Sequence, residues 1–262
     1  MKNKKCNELA VCGMDAVKAL ERSRPESIRR LYFTAEKSVC FGGLCKKLAA
    51  HKIPYNCVQH SSELEKLCGS VHHQGVVAMI QQHDIPFASD TLANECLQNK
   101  ETLLILDCIG NANNFGAIVR SAAFFGIRTV IIPMDDAQST INTASYRVAQ
   151  GGMECVHVYK VASVTQFLQS IKGKYCRVGT DSHSKTALHQ LSTANRENKP
   201  IALVLGNEEK GMSEESKKCC DIVLCIEAKG FFTDKDGQKK NAVESLNVAQ
   251  SAAVLLYYIT AG

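Results

Sequence analysis

The chain lacks any stretch near the roughly 18 to 20 consecutive apolar residues that a membrane-crossing helix needs. Its basic start, Met1 to Lys5, runs into Cys6-Asn7-Glu8 rather than into an apolar signal core. A cytoplasmic protein with no membrane partner is therefore expected. A Cys-x-x-Cys pair is also missing, although the 262 residues include 13 cysteines. Most of these sit in apolar runs such as Leu106-Asp107-Cys108-Ile109 or Leu224-Cys225-Ile226, and read as small core residues in a reducing compartment. A zinc site from Cys219, Cys220 and Cys225 would need a spacing that adjacent cysteines rarely supply, so no metal is expected. No Gly-x-Gly-x-x-Gly follows an early strand, which argues against a nucleotide-dependent oxidoreductase on an ordinary doubly wound sheet.

What is present suits two domains: the length exceeds one compact unit, and 45% hydrophobic residues can fill two ordinary cores. The net charge of +5 is unevenly placed. Residues 1 to 80 carry 13 basic against 7 acidic side chains, and the remainder 18 against 19. A basic amino-terminal third suits a polyanion through counterion release; lysines on a solvated helix face are the plain alternative.

Within residues 1–80, the pattern predicts a helix over Gly13 to Leu20 and a strand over Ile28 to Phe33. A helix over Leu44 to Ala50 and strands over Pro54 to Val58 and Gly75 to Ile80 follow, together a small α/β lobe. Residues 81–99 open with polar residues and a proline and read as a linker. Over 100–262, six β-rich runs recur at βα intervals: Leu103 to Ile109, Thr129 to Met134, Val156 to Val161, Cys176 to Asp181, Ile201 to Gly206 and Ile222 to Glu227. Mostly apolar on both faces, they predict a parallel sheet covered by helices, with chemistry in the loops at the carboxyl ends of the strands.

Three such loops stand out. After the first run, Asn114 is placed to cap a helix, Gly116 to allow a close backbone approach, and Arg120 lies about two turns on; a surface ion pair for Arg120 is the plain alternative. After the fifth run, Gly206 and Gly211 flank a polar tip, and Ser213 begins a helix. Two glutamates there, and no Gly-Lys-[Ser/Thr] ending, argue against a triphosphate cradle. Near the carboxyl end, Ser245 and Asn247 lead into a helix of small residues. His72 and His73 read as polar residues at a domain edge rather than as metal ligands or a base.

In this order and at these strand ends, the elements resemble the SpoU, or TrmH-like, branch of the SPOUT RNA methyltransferases. The family's Asn-x-Gly with a following Arg is matched by Asn114, Gly116 and Arg120, and its Leu-Gly-x-Glu-x-x-Gly by Leu205, Gly206, Glu208 and Gly211. Its Ser-Leu-Asn-Val is matched by Ser245 to Val248, and Ser145 to Glu154 is similar to a further family segment. Less specifically, residues 1–80 resemble the L30-like RNA-binding domain that precedes many such catalytic domains.

The resemblance implies a SPOUT domain over 100–262 with a carboxyl-terminal trefoil knot. It also implies a homodimer whose sites borrow residues from the partner, and S-adenosyl-L-methionine as methyl donor to a ribose 2′-hydroxyl. Ribosomal RNA is the favoured substrate, with transfer RNA or a non-catalytic RNA-binding homologue as alternatives. By the same resemblance Arg120, Asn114, Glu208, Ser245 and Asn247 are the catalytic candidates. Thr180, Leu205, Gly206, Asn207, Gly211, Ile226, Ser245 and Leu246 are those for the cofactor. Arginine is effectively always protonated, so positioning and electrostatic help suit Arg120 better than literal base catalysis. One departure stands out: a charged insert, Phe231 to Ala242, separates Gly230 from the Ser-Leu-Asn element and reads as a mobile loop.

Overall fold

The computed structural model describes residues 7–82, 84–195, 197–233 and 238–261. The basic start with Cys6, His83 of the linker stretch and the centre of the insert, 234–237, lie outside the described residues.

The small lobe runs β1 (Glu8–Cys12), α1 (Met14–Ser23), β2 (Ile28–Thr34), α2 (Gly42–Ala50), β3 (Tyr55–Val58), α3 (Ser61–Cys68) and β4 (Val76–Gln81). Its sheet has the order β1-β4-β2-β3; β4 is antiparallel to both neighbours, and β2 and β3 run parallel. β1 and α3 were not anticipated from the sequence. All five residues of β1 are buried, so it shows none of the in–out alternation that announces a strand.

The larger unit contains α4 (Asp90–Gln98), β5 (Leu103–Asp107), α5 (Ala112–Phe124), β6 (Thr129–Pro133), α6 (Thr143–Ala149), β7 (His157–Val161), α7 (Val164–Ser170) and β8 (Cys176–Thr180). It continues through α8 (Leu191–Ala194), β9 (Ile201–Gly206), α9 (Glu214–Lys218), β10 (Ile222–Leu224), β11 (Phe231–Thr233), β12 (Lys239–Asn241) and α10 (Val248–Ala261). The six expected strands form one all-parallel sheet in the order β10-β8-β9-β5-β6-β7. Because β10, β8, β9 and β5 are neighbours and parallel, their carboxyl ends at Leu224, Thr180, Gly206 and Asp107 share one edge.

Two stretches depart from the expectation. The segment read as a linker contains α4, whose Leu92, Cys96 and Leu97 join the core on one sheet face. Residues 86–88 also run beside β7, with Lys160 N–H donating to Pro86 O (2.8 Å) and Ala88 N–H to Lys160 O (2.9 Å). Apolar residues set among the polar ones there find a sheet edge to cover. The insert read as a loop is an antiparallel ribbon at its ends, β11 on β12, with both strands exposed.

The lobes share more than a connection. One continuous core contains Leu9, Val11 and Leu20 of the small lobe together with Phe115, Val119 and Tyr146 of the large one. Arg24 donates to both carboxylate oxygens of Glu154 (2.6 and 2.9 Å) and to the Tyr146 hydroxyl, while Ser23 Oγ donates to Glu154 (2.9 Å). Burial pushes the Tyr146 phenol up to about 12, so it remains a neutral hydroxyl in this junction.

Candidate active site

The loop after β5 turns through Cys108, a non-glycine residue at φ +63°, and opens α5. Asn111, not Asn114, caps that helix: its Oδ1 accepts from the N–H groups of Asn113 (2.8 Å) and Asn114 (3.3 Å). Asn111 has the extended backbone a cap needs, while Asn114 already lies in the first turn and its amide is free for other contacts. Gly116 does allow a close approach, and the partner is α6. A Cβ there would stand 2.5 Å from the Ser145 carbonyl oxygen, so this motif glycine serves helix packing.

The loop after β9 is closed by reciprocal main-chain bonds between Asn207 and Gly211, both 2.9 Å, with Gly211 at φ +69°. A Cβ on Gly206 would meet Met212 N at 2.2 Å and Gly211 C at 2.3 Å, which only glycine avoids. Asn207 Oδ1 accepts from the N–H groups of Glu209 and Lys210, and its Nδ2 donates to Cys108 O (2.8 Å), tying this loop to the one after β5.

Glu208 receives the Asn114 amide (2.8 Å), the N–H groups of Asn111 (3.3 Å) and Gly110 (3.4 Å), and Asn207 Nδ2 (3.3 Å). A carboxylate among N–H donors at a helix start is electrostatically well placed. Asn114 Oδ1 in turn accepts from Asn247 Nδ2 (3.2 Å), whose Oδ1 accepts the Ala249 N–H (2.9 Å) at the start of α10. Three sequence-selected residues thus form one chain, Glu208 to Asn114 to Asn247, across loops 94 to 133 positions apart.

Of the cofactor candidates, Thr180 is half-buried and donates from Oγ1 to Val204 O (3.0 Å), while its N–H meets Met212 Sδ (3.2 Å). Leu205 is buried and Ile226 half-buried against the core; Ser245 and Leu246 are exposed just before α10. Arg120 is not brought to the Glu208 chain. Six residues beyond Asn114, it is exposed, has no ion pair among the described residues, and faces a cleft between the lobes with Arg147, His72 and Gln74. His73, expected at a polar edge, is 4% exposed and held by Ser61 Oγ (3.1 Å) and the Gly75 N–H (3.0 Å). Arg147 was missed: it lies in the family-like segment 145–154, but one arginine on a helix carries no signal of its own.

The site holds no activated thiol. Burial, reinforced by the Asp107 charge, pushes Cys108 up to about 11, so it stays protonated at neutral pH. Among the described residues no group of three or more His, Cys, Asp or Glu side chains is disposed to hold a metal ion. The arrangement offers fixed amides, a carboxylate and main-chain edges: equipment for orienting a substrate group rather than attacking it.

Comparison with known proteins points one way. The sequence model of the SpoU rRNA methylase family matches residues 101–257, and that for RNA 2′-O ribose methyltransferase substrate binding matches residues 10–86. The chain is 31% identical to the 23S rRNA (guanosine-2′-O-)-methyltransferase RlmB of Acinetobacter baylyi and 29% identical to that of Bordetella pertussis. Each match covers 94% of this chain and 94% of the relative. In fold it is similar to the SpoU methyltransferase AviRb of Streptomyces viridochromogenes, solved in complex with AdoMet. There the TM-score is 0.69 at 20% identity, over 98% of this chain and 91% of that one.

Proposed function

The chain belongs to the SpoU rRNA methylase family, and from that premise we propose that it methylates a guanosine 2′-hydroxyl in large-subunit ribosomal RNA. The methyl donor is S-adenosyl-L-methionine, which supplies a carbon on a sulfonium and needs no metal. The residues present fit it: neighbouring strand ends at Thr180, Gly206 and Leu224 give main-chain edges, and half-buried Ile226 with exposed Leu246 gives apolar surface.

The observation that carries the reading is the chain of Glu208, Asn114 and Asn247 at that sheet edge. A ribose hydroxyl is a poor nucleophile, so the protein must hold it in line and ease the loss of its proton. Glu208 fixes the Asn114 amide, Asn114 fixes Asn247, and these amides present donors of set direction to the ribose and its phosphate. Arg120 supplies the positive charge that stabilises the developing alkoxide, and Ser245 adds a hydroxyl to the same group.

Arg120 and Ser245 stand apart from that chain of amides, which supports a site completed between two copies. An exposed aromatic patch on α5 and α10, formed by Phe124 (82% exposed) stacked edge-on to Phe125, with Tyr257 (63%) beside it, is the surface on which a second copy would pair. In this reading residues 1–80 dock RNA, 100–262 carry the chemistry with a knotted carboxyl end, and the work is done in the cytoplasm. The test is transfer of labelled methyl from S-adenosyl-L-methionine to unmodified ribosomal RNA, with the product mapped by nucleotide. A single 2′-O-methylguanosine in the large-subunit RNA is expected. Methyl on a base, or on transfer RNA alone, overturns the assignment.

A further inference from the structure

Four arginines among the described residues are buried or half-buried: Arg24, Arg30, Arg147 and Arg177. Three have a carboxylate partner, Arg24 with Glu154, Arg30 with Glu8 and Arg177 with Asp221. Arg147 has none. Its contacts are two long ones to neutral oxygens, Ser70 Oγ of the small lobe (3.5 Å) and Asn113 Oδ1 (3.3 Å). Partial removal of a guanidinium from water without a counter-charge is costly, and a fold that neutralises its other such groups leaves this one for an external anion.

The surroundings identify the anion. Arg147 lines a cleft of about 360 Å³ between the lobes, shared with Arg120, His72, Gln74 and Asp15. Gln74 Oε1 accepts the Met14 N–H (2.7 Å), which leaves the amide hydrogens of Gln74 as donors. Asp15 is the one acidic lining residue among the described residues; two guanidiniums outweigh it, and it can accept from a sugar hydroxyl or a base N–H beside the anion. A planar fork with several N–H donors suits the two free oxygens of a phosphodiester.

We propose that Arg147 is a positioning residue that seats one RNA backbone phosphate in the cleft between the lobes, beside Arg120. This rests on the chain being an RNA methyltransferase, and it adds a contact that joins substrate docking to the reacting ribose. The seat lies between the lobes, so RNA held by the small lobe is delivered in a fixed register to α5.

The test uses the full-length protein and a fluorescent oligoribonucleotide of mixed sequence, titrated at several salt concentrations. Arg147→Gln should weaken binding about tenfold, as loss of charged hydrogen bonds does, and lower the salt slope by about one. Affinity for S-adenosyl-L-methionine, read by calorimetry, should not change. Arg29→Gln, which removes an exposed charge from the small lobe outside the cleft, should weaken binding far less. Equal losses for the two variants would mean bulk charge alone and would overturn the proposal. Should a melting curve show Arg147→Gln unfolded, Arg147→Lys decides: it keeps the charge and slope but loses the fork, and wild-type affinity in that variant overturns the seat. These readings are of binding, so a wild-type protein that transferred no methyl would remove the enzymatic reading while leaving the phosphate seat judged on its own result.

Discussion

The two halves of the candidate site are built differently. At the sheet edge, Glu208, Asn114 and Asn247 are joined by side-chain hydrogen bonds, and the Gly206 to Met212 turn is closed on itself. In the other half, Arg120 and Ser245 are exposed and have no hydrogen-bond or ion-pair partner among the described residues, although Arg120 shares a helix with Asn114. Folding alone completes the first half, whereas the second, in the proposed function, would be completed by RNA or by a second copy. In the proposed reaction, preorganisation therefore lies in the amides that orient the ribose, and adaptability in the charge and hydroxyl of Arg120 and Ser245.

That contrast breaks most sharply at Arg120. Arg120→Ala should lower the rate of methyl transfer by about 10²–10³-fold, as loss of one stabilising donor does, and leave the melting temperature and cofactor affinity unchanged. Lysine should rescue poorly, because a point charge on a flexible stem lacks the planar fork. A labelled-methyl assay beside a melting curve reads both, and near-normal turnover would move Arg120 out of the reaction.

Gly206 should give the opposite signature. Gly206→Ala forces a methyl into the backbone of Gly211 and Met212, costs about 3 kcal/mol of stability, and removes cofactor binding with it. Denaturant titration and calorimetry would show this, and an alanine variant of normal stability would mean that the turn relaxes freely.

A smaller effect is expected at the pair that ties β8 to the start of β10. The Arg177 guanidinium, 5% exposed, donates to both oxygens of Asp221 (2.5 and 3.0 Å) and holds that carboxyl below the usual carboxylate range. A carboxyl lowered on folding contributes stability that is present above its unfolded value, near pH 4, and lost as pH falls through its folded value. Asp221→Asn should therefore destabilise the wild-type fold by about 1–2 kcal/mol at neutral pH, discounted because the carboxylate is 41% exposed, and the difference should shrink in acid. Melting curves at pH 7 and pH 3 provide the check; an equal deficit at both would assign the cost to packing.

Much of this was legible in the sequence. The six strands announced themselves as apolar runs between helical segments, and the ordered motifs led to Asn114, Glu208 and Asn247, which the fold brings together. What escaped was set by tertiary partners. β1 is buried throughout and lost its alternation, the cap belongs to Asn111 because the backbone bends there, and α4 sat inside a stretch that opened with polar residues. Arg147 was invisible for a deeper reason: its interest lies in the carboxylate it lacks among the described residues, and a missing partner is a property of space, not of spacing.

Gly116 sits so close to Ser145, and Gly152 so close to the Arg120 backbone (3.1 Å to its Cα for a Cβ at that glycine), that α5 is clamped at two levels. The helix is then a gauge rod. Asn114 and Arg120 mark two graduations on it, six residues or about 9 Å apart along the axis, and neither mark can slide while the glycines hold the rod. If the proposed roles of Asn114 and Arg120 hold, the protein thereby carries a fixed length against which a strand of RNA would be measured before any bond is made.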